Sequence, residues 1–294
     1  MAAGATSDHP AGMATATNQV SAVFARAIAS GDLELPPLPA TVAEVLSSCQ
    51  TDTIDAARLS AIIHRDPALA ASILRVANSA AYVGQVQCRV LQQAISRLGL
   101  RHVTEIAMAV AVRGRLFVNP RCAELLGDLW QHSVLTGFFA KEIARLRRRN
   151  VEIAFVCGLL HDVGKAVMLN GVDRVFDDAS AEPDLADLVT ALREQHMAAG
   201  SLLAAEWKLP EQVAEAIAGH HDVTLSSRYP DLACMVRLAD RIAYSIRPEP
   251  LSAAPTLDEL RADEAVVALN VYPDELDGLL AKRDKAMQTA EVMQ

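Results

Sequence analysis

The stretch Ala154-Phe155-Val156-Cys157-Gly158-Leu159-Leu160-His161-Asp162-Val163-Gly164-Lys165-Ala166-Val167-Met168-Leu169 is apolar on every side except at His161, Asp162 and Lys165. Its length and lack of alternation predict one helix over Val151 to Leu169, buried all round, with no solvated face on which an idle carboxylate could sit. Burying an ionised group is costly unless it is paired or bound to metal, so His161 and Asp162 need partners from elsewhere in the chain.

Five further residues fit that need. His132, His196, His220, His221 and Asp240 each fall in or at the end of a predominantly apolar helical segment. Neutral imidazoles and carboxylates are the ligands expected for zinc, iron or manganese, and two octahedral ions sharing one carboxylate would use most of these seven residues. A lone histidine on an apolar helix is more often a hydrogen-bonded core residue. Seven such groups together favour a dinuclear metal centre, the alternative being a polar cluster that only staples helices together.

The rest of the chain supports an all-α protein. Of 294 residues, 51% are hydrophobic but only 4% aromatic, and glycine and proline gather at the ends of periodic segments. A sizeable helical core can therefore form, and no sustained alternation proposes a sheet. Met1 to Val20 reads as a flexible arm and Ser21 to Ser30 as a short helix, broken by Gly31 and Leu35-Pro36-Pro37-Leu38-Pro39. Helices are then expected at Thr41 to Ser48, Thr53 to His64, Ala68 to Ala80, Val90 to Leu98, His102 to Leu116, Arg121 to Asp128 and Leu129 to Arg147. Beyond Val151 to Leu169, others are expected at Asp184 to Trp207, Pro210 to Ala218 and Asp231 to Ile246. Asp66-Pro67 supplies an N-cap followed by proline at the first helical position. After Arg247-Pro248-Glu249-Pro250 the composition shifts, and Leu257 to Leu269 and Pro273 to Met287 read as two polar helices. The expected divisions are 1–33 for the arm and short helix, 34–247 for the main domain and 248–294 for a helical appendage.

A formal net charge of −9 argues against nucleic acid as a partner, since such binding depends on clustered cations. The one basic run, Lys141 to Arg149, falls at an expected helix end, where cations complement the helix dipole. Five scattered cysteines without a C-x-x-C pair suggest reduced thiols in a cytoplasm. No apolar run reaches the length of a membrane span, and Met1 to Val20 lacks the apolar core of a signal peptide.

The order His132, His161-Asp162, Asp240 resembles the H…HD…D pattern of the HD superfamily, whose members bind one or two divalent metals and mostly hydrolyse phosphate esters. His196 and His220-His221 are similar to the additional ligands of the HD-GYP branch. Leu35-Pro36-Pro37-Leu38-Pro39, Ile62 through Asp66-Pro67-Ala68-Leu69, Leu74 through Ala77-Asn78-Ser79, and Ala94 through Leu98-Gly99-Leu100 resemble, in order, the motifs of an HDOD domain. The resemblance covers about Leu35 to Ile246. It implies an HD-type helical core with an N-terminal helical subdomain, found in bacterial signalling proteins. For the site it implies Asp162 between two ions, with His132, His161 and Asp240 on one and His196, His220 and His221 on the other. The ions would be iron, manganese, zinc or magnesium.

Two departures matter. Where HD-GYP proteins carry Asp-Gly-x-Gly-Tyr-Pro, this chain has Leu225-Ser226-Ser227-Arg228-Tyr229-Pro230. Without the glycines the loop that recognises cyclic-di-GMP should take another shape, which argues against that substrate. Lys165 matches a lysine that faces substrate phosphate in HD-GYP proteins; the alternative is a side chain reaching out to solvent from a helix end. Asp162 and Lys165 are thus the candidate catalytic residues. Asn78 and Ser79 are expected to be structural, satisfying backbone groups at a helix end. The leading functional expectation is a regulatory metal-binding protein whose partner is a signalling protein or a nucleotide-like small ligand. The other is a metal-dependent phosphohydrolase.

Overall fold

The computed structural model describes residues 13–38, 40–49, 56–79, 82, 86–176, 183–248, 250 and 253–293, and among them every regular element is helical. The resemblance had pointed to an all-α fold, and it is one. An N-terminal helix α1 (Met13–Ser30) precedes a subdomain of α2 (Ala40–Cys49), α3 (Ala56–Arg65), α4 (Pro67–Ala77), α5 (Leu91–Leu98) and α6 (Leu100–Leu116). The core follows as α7 (Ala123–Leu146), α8 (Val151–Leu160), α9 (Val163–Val175), α10 (Leu185–Glu206), α11 (Glu211–Gly219) and α12 (Pro230–Ile246). Four short helices, α13 (Leu257–Arg261), α14 (Glu264–Ala268), α15 (Pro273–Leu280) and α16 (Arg283–Val292), pack on α7 and α12.

Local signals place several of these ends. Asp66 accepts a hydrogen bond from the Leu69 amide at 3.0 Å, with Pro67 in the first turn of α4. Just past α4, Asn78 donates to the Cys88 carbonyl at 2.9 Å and accepts from the Cys88 amide at 2.8 Å, while Ser79 donates to the Val76 carbonyl. Both side chains thus do local structural work.

The structure corrects four expectations. The helix expected over Val151 to Leu169 is two helices, broken at His161-Asp162, where Asp162 takes φ −100° and ψ 14°. Both halves are buried all round, so no change of periodicity marks the break. The segments expected at Arg121 to Asp128 and Leu129 to Arg147 are one continuous α7, preceded by a single 3-10 turn at Pro120–Cys122. Helix α1 starts at Met13 and packs on α10, with Val20 and Phe24 buried, so a good part of the supposed arm is folded. The two polar helices expected at Leu257 to Leu269 and Pro273 to Met287 are four, α13 to α16. The basic run does fall at the end of α7, and its members also form ion pairs: Lys141 Nζ lies 2.6 Å from Glu105 Oε2, and Arg145, Arg147 and Arg149 meet Glu142, Glu275 and Asp231.

Two close helix contacts position the broken segment. A Cβ at Gly164 would stand 1.9 Å from the His196 carbonyl oxygen, so α9 and α10 touch backbone to backbone. At Gly158 it would stand 2.8 Å from the Thr136 carbonyl oxygen, so α8 also packs tightly on α7. Any side chain here pushes the helices apart. Gly164→Ala is expected to cost about 2–3 kcal/mol or more in urea unfolding. Gly127→Ala, in α7 with open space around it, should be stabilising by up to about 1 kcal/mol.

The Lys141–Glu105 pair joins α7 to α6 with both side chains buried, and Lys141 also stands 5.4 and 5.5 Å from the ring centres of Phe138 and Phe155. Removing one partner strands the other charge. Lys141→Met is expected to cost about 3–5 kcal/mol, and the double variant Lys141→Met with Glu105→Leu should recover most of that loss in the same unfolding measurement.

Candidate metal centre

The break between α8 and α9 turns His161 and Asp162 into the centre of the core, where α7, α10, α11 and α12 bring the other five residues. His132 comes from α7, His196 from α10, His220 and His221 from the end of α11, and Asp240 from α12. All seven gather in two groups. Donor atoms of His132, His161 and Asp240 lie within 4.8 Å of one another, as do those of Asp162, His196, His220 and His221. His221 is exposed at the rim and the other six are buried.

Asp162 lies between the two groups. Its Oδ1 is 3.4 Å from His196 Nε2 and 3.5 Å from His220 Nε2, and its Oδ2 is 3.4 Å from His161 Nε2 and 3.8 Å from His132 Nε2. Asp240 Oδ1 lies 3.0 Å from His132 Nε2 and 3.6 Å from His161 Nε2.

The outer nitrogens decide what the inner ones can do. His161 Nδ1 is 2.7 Å from the Gly158 carbonyl, His196 Nδ1 2.9 Å from that of Leu192, and His220 Nδ1 3.1 Å from that of Ile217. A carbonyl only accepts, so each Nδ1 carries the proton and donates, leaving the Nε2 lone pair for the centre. His196 Nε2 and His220 Nε2 then face each other at 3.2 Å. Two lone pairs at that distance need a proton or a cation between them. His161 Nε2 and Asp162 Oδ1 are buried without a hydrogen-bond partner. This donor set, two carboxylates and five imidazoles of which three have their outer nitrogens tied to carbonyls, fits divalent metal.

The HDOD domain family matches this chain over residues 35–223. The chain belongs to the HDOD family. The matched span holds every candidate ligand except Asp240, which α12 supplies. An HDOD domain protein of unknown function from Geobacter sulfurreducens has a similar fold, with a TM-score of 0.69 and 21% identity, covering 96% of this chain and 99% of that one. A protein from Shewanella amazonensis SB2B, provisionally named a metal-dependent phosphohydrolase, has a TM-score of 0.68 and 20% identity, covering 94% of this chain and 99% of that one. An uncharacterized protein of Treponema pallidum (strain Nichols) is 27% identical over 209 residues, 68% of this chain and 40% of its own length. The chain thus matches about two fifths of that relative.

Lys165 of this HDOD protein does not reach for solvent. It is buried, and its Nζ lies 2.7 Å from Asp162 Oδ2. His132 and Lys165 both line a pocket walled by Leu129, Leu169 and Leu192, with Arg193 and Arg247 also in its lining. The sequence reading missed both arginines, though their spacing signals them. Arg193 precedes His196 by three residues on α10, and Arg247 follows Asp240 by seven at the end of α12, so each shares the ligand's helix face. Arg247 pairs with Asp128 at 2.5 Å, and Arg193 donates to the Pro250 carbonyl.

Burial alone would raise the pKa of Asp162, but Lys165 and His161 hold it well below the usual carboxylate range. Burial likewise opposes ionisation of Asp240, and His132 and His161 outweigh it. Burial would lower His161, yet Asp162 and Asp240 push it up to about 10. Burial drives His196 down to about 3. In metal-free protein at pH 7 His161 is thus an imidazolium and His196 a neutral imidazole.

In metal-free protein the raised His161 pKa stabilises the fold fully below the unfolded value near 6.5, and that contribution fades as pH rises through about 10. Metal affinity runs the opposite way, since the ligand must lose its proton. Titration calorimetry at pH 7 in buffers of different ionisation heat is expected to show about one proton released from His161 on metal loading and none from His196.

Proposed function

We propose that this HDOD protein is a regulatory metal-binding protein whose buried centre holds two divalent ions and recognises a phosphate group of a small ligand. The observation that carries the reading is the pocket that meets the ligand cluster at His132: it has about 50 Å³ of room, with Lys165, Arg193, Arg247 and Asp128 in its lining. That volume suits a phosphate group and a few waters, far less than a dinucleotide. Bound metal would supply Lewis-acid polarisation of a phosphate oxygen and neutralisation of its charge. The chain's own part is to bind and exclude: the three cations offer charge-assisted hydrogen bonds, and the leucine walls keep bulk water out.

The loop after His220-His221 supports the regulatory reading over cyclic-dinucleotide hydrolysis. Glu215 accepts from Ser226 Oγ at 2.6 Å and from the Arg228 and Tyr229 amides at 3.3 Å, folding the loop onto α11. Tyr229 and Pro230 line a separate cleft with Arg149 and Asn150 that contains none of the candidate ligands. The second reading, a metal-dependent phosphohydrolase, is favoured by the complete ligand set and by Lys165 in the pocket.

Protein purified without chelator is expected to carry about two ions by elemental analysis, and Asp162→Ala to lose both. A phosphatase and phosphodiesterase screen with Mn²⁺ and Fe²⁺ over cyclic and linear nucleotides should show no turnover by metal-loaded protein. Metal-dependent turnover abolished by Asp162→Ala and lowered ~10²-fold by Lys165→Ala, the scale of losing one electrostatic donor, would establish the hydrolase instead. Protein that takes up no metal on reconstitution would leave only a structural role for the cluster.

A further inference from the structure

On another face of the molecule, α4, α6 and the end of α16 enclose a cleft of about 310 Å³. Its walls are mostly apolar, with Ile106, Val110, Phe117 and Met293 among them, and its charged side chains are Arg75 and Arg113. Arg75 donates to Ser72 Oγ at 2.9 Å, and the Arg113 guanidinium lies over the Trp130 ring, 5.9 Å from its centre. Among the described residues no carboxylate lies within ion-pair distance of either guanidinium.

Many of this chain's arginines are neutralised by a carboxylate: the chain carries a net charge of −9, and Arg65, Arg101, Arg147, Arg149 and Arg237 each meet an acidic partner. The two guanidiniums also feel each other: burial and then the charge of Arg75 lower the pKa of Arg113. Arg75 opens as well onto an adjoining cleft with Asn78, Gln87 and Glu291, but Glu291 does not pair with it. Arg75 is exposed and Arg113 partly buried, so the pair sets up a local positive field beside apolar walls that favours an anion.

We infer that this cleft is a binding site for a small organic phosphate, its dianion held by Arg75 and Arg113 and its apolar body against Ile106, Val110 and Phe117. Two guanidiniums match a doubly charged phosphate better than a single carboxylate, and their planar donors suit its oxygens. The walls offer few groups to read the edge of a nucleobase, whereas a ring or alkyl body fits them. The volume is that of a small-ligand pocket. The site requires no metal, so it stands or falls apart from the function proposed above.

The indole of Trp130 gives a direct readout, since Arg113 covers its ring and Phe117 meets it edge-on at 5.0 Å between ring centres. Metal-free protein would be titrated with inorganic phosphate, phenyl phosphate and a phosphoserine peptide at constant ionic strength, following tryptophan fluorescence and calorimetry. Phenyl phosphate should bind at least about tenfold more tightly than inorganic phosphate, the difference coming from burial of the ring. Arg75→Gln and Arg113→Gln should each weaken it by about tenfold or more, the scale of a charge-assisted hydrogen bond, with the melting temperature held within a few degrees. Arg113→Lys should lose less, and Arg261→Gln, on the exposed side of α13 and outside both pockets, nothing.

Loss of binding in Arg193→Gln but not in the two cleft variants would place the phosphate in the metal pocket and overturn the inference. So would equal affinity for phenyl and inorganic phosphate, or much tighter binding of the phosphoserine peptide, which would make the occupant a protein.

Discussion

A single carboxylate, Asp162, is buried where six helices converge, with its two oxygens turned toward different sets of imidazoles. An ionised group there is tolerable only if nearby cations or bound metal compensate it, the more so because α12 adds a second carboxylate, Asp240, to the same centre. Lys165 provides one cation from the next turn of the same helix, and His161 another from the residue before. The helices from α7 to α12 together gather two carboxylates and five imidazoles around that point.

Close approach is the second requirement, and it is met by absence of side chains. Gly164 against His196 and Gly158 against Thr136 let two pairs of helix backbones, α9 with α10 and α8 with α7, pack at contact distance. Without that, imidazoles projecting from α7 and α10 would stop short of the carboxylate. The outer nitrogens of three histidines then lock against carbonyls of their own helical turns, which fixes ring orientation before any ligand arrives. Much of the site is therefore organised by the backbone of the same helices that carry it.

The seven candidates were readable from the chain because each falls in or at the end of a predominantly apolar helical segment, and the structure brings them together. The helix break at His161-Asp162 was not readable, since both sides of it are buried and the hydrophobic pattern continues across it. The fate of the basic run was hidden for a different reason: Arg147 meets Glu275 and Arg149 meets Asp231, partners far along the chain that only the fold brings near. Arg193 and Arg247 could have been found by following the ligands along their helices, because their offsets of three and seven keep them on the same face. The cleft with Arg75 and Arg113 joins α4, α6 and α16 and has no local signature at all.

Helix α7 runs unbroken for 24 residues, roughly 36 Å at 1.5 Å per residue. Near its start Trp130 donates to the Met293 carbonyl beyond α16, and two residues later His132 enters the ligand cluster. Toward its far end Lys141 is fastened to α6 and Glu142 to Lys282, between α15 and α16. The N-terminal subdomain, the ligand cluster and the C-terminal helices are thus bolted to one rigid rod. A small rotation of that rod about its own axis would alter all three attachments at once, with no hinge and no loop rearrangement, so occupancy deep in the core has a mechanical route to two separate outer surfaces.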